Sequence, residues 1–121
     1  MTKEQAIHSF WSSFDVPAFD ENTVPDDASL PRITYEVHTD SFGYPILLTA
    51  SIWDRSKSWA TITTLCDKIA TRLSQGGQMV SYEGGAMWIK RSVPFAQRMG
   101  DPDDSIRRII INIEVEFISE V

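Results

Sequence analysis

Chemistry in this chain would have to come from a short roster of side chains. Cys66 with His8 or His38 has the residue types of a thiolate nucleophile and its base. Cys66, however, falls on an apolar stripe of Trp59, Ile62, Leu65, Cys66, Ile69, Ala70 and Leu73, where a thiol packs as a small hydrophobe. The two histidines fall on the polar sides of a helix and a strand, and two lone imidazoles fall short of the three or four ligands a zinc site takes. The run GDPDDS brings Asp101, Asp103 and Asp104 together but lacks the alternating oxygen ligands, glycine and closing glutamate of a calcium loop. A solvated turn is expected there, and the same holds for Asp26 and Asp27. Gly76-Gly77 and Gly84-Gly85 lack the spacing and the following Lys and Ser or Thr of a phosphate cradle, so they read as a helix stop and a turn. GxSxG and HExxH are both missing from the sequence. These residues offer no catalytic group, no cofactor site and no metal site, and the expected role is assembly rather than enzymatic catalysis.

The elements that would carry these side chains are legible from periodicity. Thr2 and Gln5 have capping-box spacing ahead of Ile7, Phe10, Trp11 and Phe14, which predicts an amphipathic first helix. Pro17, Pro25 and Pro31 then punctuate a long loop in which Val16 to Phe19 has the makings of a short strand. Ile33, Tyr35 and Val37 alternate with Thr34, Glu36 and His38, a half-buried strand, and a turn at Asp40 to Tyr44 leads into a second strand over Pro45 to Asp54. The Trp59 to Leu73 stripe, with Ser56 or Ser58 as cap, predicts the second helix. Met79 to Tyr82 and Ala86 to Lys90 flank a glycine turn as a short hairpin.

Ser92 to Asp104, with Pro94, Gly100 and Pro102, reads as a second long loop with one helical turn over Phe95 to Met99. The clearest strand follows, with Ile109, Ile111, Ile113, Val115 and Phe117 alternating with Arg108, Ile110, Asn112, Glu114 and Glu116. The order predicts one α+β domain over residues 1–121: an antiparallel sheet of about four to five strands, two helices on one face and the last strand central.

Composition narrows the partners. The 121 residues hold enough apolar and aromatic surface for one core, and a net charge of -6 opposes binding to phosphate backbones. A single cysteine and the absence of a long apolar run point to synthesis in a reducing cytoplasm, with no membrane insertion and no Sec export. Trp53, on the face opposite Ile52, and Trp88, beside charged residues, are candidates for surface aromatics of the kind that anchor subunit contacts.

Three stretches, VPDDASLPRITYEV from Val24 to Val37, SIWDRSKSW from Ser51 to Trp59, and GGAMWIKRSVPFAQRMGDPDDSIRRIIINIEVEF from Gly84 to Phe117, resemble the tail terminator, or tail-completion, proteins of long-tailed bacteriophages and prophages. The resemblance covers nearly the whole chain. It implies a homo-hexameric ring that caps the head-proximal end of the tail tube and stops its polymerisation. The tail tube protein and the head-tail connector protein would be its partners, and DNA would pass through the lumen without specific binding. The tube itself can serve as the template for the ring. The protein would be made in the bacterial host cytoplasm and incorporated in the virion tail or neck, with no enzyme activity.

The resemblance suggests Ser92 to Asp104 and Asp20 to Leu30 as contact loops. A head-to-tail ring needs two different complementary patches. Positive charge at Arg98, Arg107 and Arg108, with Phe95 beside it, against Asp26 and Asp27 in the acidic Asp20 to Asp27 segment, would supply them. Two other readings compete: another neck component, such as a head-completion or connector-adapter protein, and a small-molecule binding module or enzyme, which would require a deep pocket with convergent polar groups.

Overall fold

The computed structural model describes residues 1–38, 44–74 and 76–119. The first helix, α1 (Lys3–Ser12), opens with the predicted capping box. The Gln5 N–H donates to Thr2 Oγ1 at 3.1 Å and the Thr2 N–H donates to Gln5 Oε1 at 2.9 Å, so two otherwise orphaned donors are satisfied reciprocally. Ala6, Ile7, Phe10 and Trp11 form its buried stripe. The second helix, α2 (Ala60–Leu73), buries Ile62, Leu65, Cys66, Ile69 and Leu73. Trp59 holds its N-cap position without a side-chain cap, while Ser58 Oγ accepts the Ala60 N–H one residue further out. Gly77, at φ 76°, reverses the chain, and its N–H returns to the Leu73 carbonyl at 2.7 Å.

Six strands follow in chain order: β1 (Ala18–Asp20), β2 (Arg32–Tyr35), β3 (Ile46–Arg55), β4 (Gln78–Tyr82), β5 (Gly85–Met99) and β6 (Ile106–Ser119). They make one sheet in the order β1-β2-β3-β6-β5-β4. The α+β expectation holds, but the sheet has six strands rather than four or five and is mixed rather than antiparallel, because β1 runs parallel to β2. β6 is interior, hydrogen-bonded to β3 on one side and to β5 on the other. The expected turn at Asp40 to Tyr44 lies almost wholly outside the described residues.

The largest departure is Ser92 to Met99, expected as loop with a helical turn and found as the second half of a 15-residue strand. Local sequence conceals it. Pro94 and a register shift between Arg91 and Ala96 break the alternation, and the segment is held extended by pairing with the next strand, β6, which its own residues do not announce. The Asn112 side chain spans the shift, its Nδ2 donating to the Pro94 carbonyl at 3.0 Å. Residues 100–105 alone make the loop into β6.

One cluster of buried side chains joins both helices to one face of the sheet: Ile33 and Tyr35 of β2, Leu48, Ala50 and Ile52 of β3, Met87 and Ile89 of β5, and Ile109, Ile111, Ile113, Val115 and Phe117 of β6. Among the described residues, no helix covers the other face. Truncating Ile111, fully buried on β6, to Ala should cost about 2–5 kcal/mol. Thr2→Ala should cost about 1 kcal/mol through the lost cap. Urea unfolding followed by far-UV circular dichroism checks both.

Candidate subunit-contact surface

Strand alternation decides where the predicted arginines go. Arg107 and Arg108 are neighbours in β6, so they take opposite faces of the sheet. Arg98 pairs with Ile109 and therefore shares the helix-side face with Arg107. On that face both guanidinium groups lie against Trp59, at the start of α2, with Arg98 4.6 Å and Arg107 5.4 Å from the ring centroid. Arg107 also donates to the carbonyls of Asp104 at 2.7 Å and Lys57 at 3.1 Å, tying the 100–105 loop to the segment before α2.

On the open face, Arg108 stacks 4.4 Å from the Trp53 ring centroid and donates through Nε to Ser51 Oγ at 3.0 Å. The Trp53 indole N–H donates to Thr34 Oγ1 at 2.9 Å. The pair forms a lid over two polar side chains, Thr34 and Ser51, which are buried on a face without a helix. The stacking holds these guanidinium groups in place by ring quadrupole and apolar contact rather than by charge neutralisation. Among the described residues, no ion pair joins Arg98, Arg107 or Arg108 to a carboxylate.

Asp26 and Asp27 are exposed in the loop from β1 to β2, and neither forms an ion pair among the described residues. The structure brings Arg98 and Arg107 together and sets Arg108 on the reverse side; among the described residues, Asp26 and Asp27 form no ion pair with any of the three. Phe95 is half-buried against the core cluster. The roles of Trp53 and Trp59 as arginine platforms are not evident from the sequence, although the alternation that separates Arg107 from Arg108 is.

The chemically suggestive residues have local duties. Cys66 lies in the core, and burial, with Asp67 adding to it, pushes its thiol pKa up. His8 Nδ1 is 2.8 Å from the Tyr35 hydroxyl and its Nε2 3.1 Å from Ser12 Oγ, while His38 lies 3.7 Å from Glu36. Burial, reinforced by Asp20, raises the Tyr35 pKa, so the phenol keeps its proton and the histidine satisfies a buried hydroxyl. Asp101 accepts the Asp103 N–H at 2.9 Å, and Asp103 accepts both the Ser105 N–H at 2.9 Å and its hydroxyl at 2.6 Å. Those hydrogen bonds from Ser105, with Arg55 nearby, hold the Asp103 carboxyl below its usual range. The triplet is a turn, as expected. A groove of about 540 Å³ between the end of α1 and α2 is open to solvent, and its Arg72 is engaged by the Phe14 ring at 4.5 Å and by Ser13 Oγ at 2.9 Å. No helix among the described residues is long and apolar enough to cross a membrane.

Comparison with known proteins yields a likeness in three dimensions. Neither a family model nor a curated protein sequence matches the chain. A chain from the virion of a native gene transfer agent particle superposes on it with a TM-score of 0.62, covering 96% of this chain and 94% of that one at 14% sequence identity. At that identity the likeness is one of fold, and it extends over nearly the whole chain.

Two outcomes follow from the surface. Trp53→Ala should lower stability by about 2 kcal/mol, because it removes the stack on Arg108 and leaves the buried Thr34 hydroxyl without its donor; the shift in the urea midpoint reads it. In the folded chain at pH 8, Cys66 should react with a maleimide at least tenfold more slowly than in 6 M guanidinium, since both burial and its raised pKa suppress the thiolate.

Proposed function

We propose that this chain is a structural virion protein that caps the head-proximal end of a phage-like tail tube as a hexameric ring, ending tube polymerisation and joining the tail to the head connector. The observation that carries the reading is the whole-chain fold likeness to a component of a phage-like virion. The stretches Val24 to Val37, Ser51 to Trp59 and Gly84 to Phe117 resemble tail terminators and narrow the role to the end of the tube. Its partners are further copies of itself, the tail tube protein and the connector protein, and DNA passes through the lumen without specific contacts.

The arrangement of charge supports assembly from one kind of subunit. Arg98, Arg107 and Arg108 are held in position on aromatic rings with no ion pair to a carboxylate among the described residues, and Asp26 and Asp27 are exposed in the loop from β1 to β2. These two groups meet across the subunit boundary, with the accessible part of Phe95 beside them. Two different patches that fit one another are what a closed head-to-tail ring requires. A net charge of -6 on every subunit, repeated around the ring, keeps passing duplex from sticking.

Electron microscopy of particles made without the gene tests the role. Tails of uncontrolled length unattached to heads are expected, whereas normal tails beside unsealed heads would overturn termination in favour of a connector component. Reversing Arg98 to Glu should lower the oligomer mass measured by light scattering on ring-forming preparations, and restoring it with Asp26→Lys and Asp27→Lys would identify the pairing. An unchanged mass for the Arg98→Glu variant would refute this contact.

A further inference from the structure

Besides the outer side of β4, which ends the sheet, two strand edges are covered by no other strand of the described chain. One is the outer side of β1, whose only partner is β2. The other is the upper half of β5: β4 pairs with Gly85 to Ile89 alone, so from Lys90 to Met99 the strand has β6 on one side and no strand on the other. An unpaired edge is a template for another strand, and proteins commonly blunt such edges with proline and bulges. Here the blunting is local. Pro94 and the register shift fall between Arg91 and Ala96, while Ala96, Gln97, Arg98 and Met99 are back in regular pairing with β6.

The two edges stand level with one another. Followed through the cross-strand partners, Ala18 shares a row with Ile33, Ile52, Ile109 and Arg98. Phe19 shares the next with Thr34, Ser51, Ile110 and Gln97, and Asp20 the third with Tyr35, Ala50, Ile111 and Ala96. The whole of β1 is therefore in register with the regular window of β5. The strand directions also fit: β1 parallels β2, and each later step from β2 through β3 and β6 to β5 is antiparallel, so β1 runs opposite to β5. Rotation about an axis along the strands preserves that opposition, so one copy's β1 would reach the next copy's β5 as an antiparallel partner.

Charge selects the occupant. The 15 residues of β5 include Lys90, Arg91 and Arg98 and no acid. The segment from Asp15 to Asp27, which contains β1, includes Asp15, Asp20, Glu21, Asp26 and Asp27 and no base. A second copy of this chain carries the acidic complement on the edge that has the right direction and height.

We propose that β1 of one copy adds as a strand to the upper edge of β5 in the next, Ala18 to Asp20 against Ala96 to Arg98, so that the sheets run continuously around the assembly. This deepens the ring reading and rests on it. The pairing window is only as long as β1, which suits an assembly that forms on a tail-tube template rather than freely in solution.

Cysteine cross-linking in assembled particles tests the pairing. Asp20→Cys with Ala96→Cys places two thiols in one row on the helix side, and Phe19→Cys with Gln97→Cys does so on the open face, which guards against either variant misfolding. Mild oxidation with copper phenanthroline should give a reducible ladder of covalent oligomers from at least one pair, at least tenfold above its single-cysteine parents. The parent chain, with Cys66 buried, should give none. If neither pair exceeds a control of Asp20→Cys with Met79→Cys on β4, the edge pairing is wrong. Rings seen in that case would leave the terminator reading standing; a ladder from the variant particles, together with tails of normal length in particles made without the gene, would refute termination and keep the edge pairing.

Discussion

The row of Ile109, Ile111, Ile113, Val115 and Phe117 is the reference for nearly everything else in the domain. All five are essentially buried, and the strand that carries them is hydrogen-bonded along both sides. With a side-chain period of two, a shift of one residue against β3 would turn Arg108, Asn112, Glu114 and Glu116 into the core and the isoleucines out of it. The burial of this single face therefore sets the register of β3 and β5 together. Through β3 it sets β2 and then β1, and the α2 stripe packs across the same side.

That register also distributes the cations. Placing Ile109 in the core obliges Arg107 to share its face and Arg108 to take the other, so one arginine dipeptide serves two surfaces. Trp59 and Trp53 then receive them, one at each surface. An aromatic platform orients a guanidinium group without discharging it, unlike a carboxylate partner, and leaves its field directed at whatever approaches. The acidic Asp15 to Asp27 segment forms no ion pair with these groups among the described residues.

The elements with strong local signals were legible in the chain itself. The capping box at Thr2 and Gln5, the α2 stripe, the glycine stop at Gly77 and the alternation of β6 each state their structure within a few residues. The upper half of β5 was not legible, because Pro94 and the bulge suppress the alternation and its extended form depends on β6. The parallel direction of β1 was equally hidden, since three residues carry no sign of which neighbour they will join. Trp59 at a helix start gave no hint that two arginines from separate strands would stack on it.

Composition and period, properties of the covalent chain, determined an α+β fold with a central last strand and a net negative charge. They also placed Cys66 and the aspartate triplet in structural positions, as the fold has it. Tertiary structure alone decided that the last strand has long neighbours on both sides and that the arginines stack on Trp59 and Trp53. It alone brought the free edges of β1 and β5 to the same height. Those outcomes depend on hydrogen bonds and ring contacts between residues far apart in sequence, whose energies exist only once the sheet has closed around the β6 row.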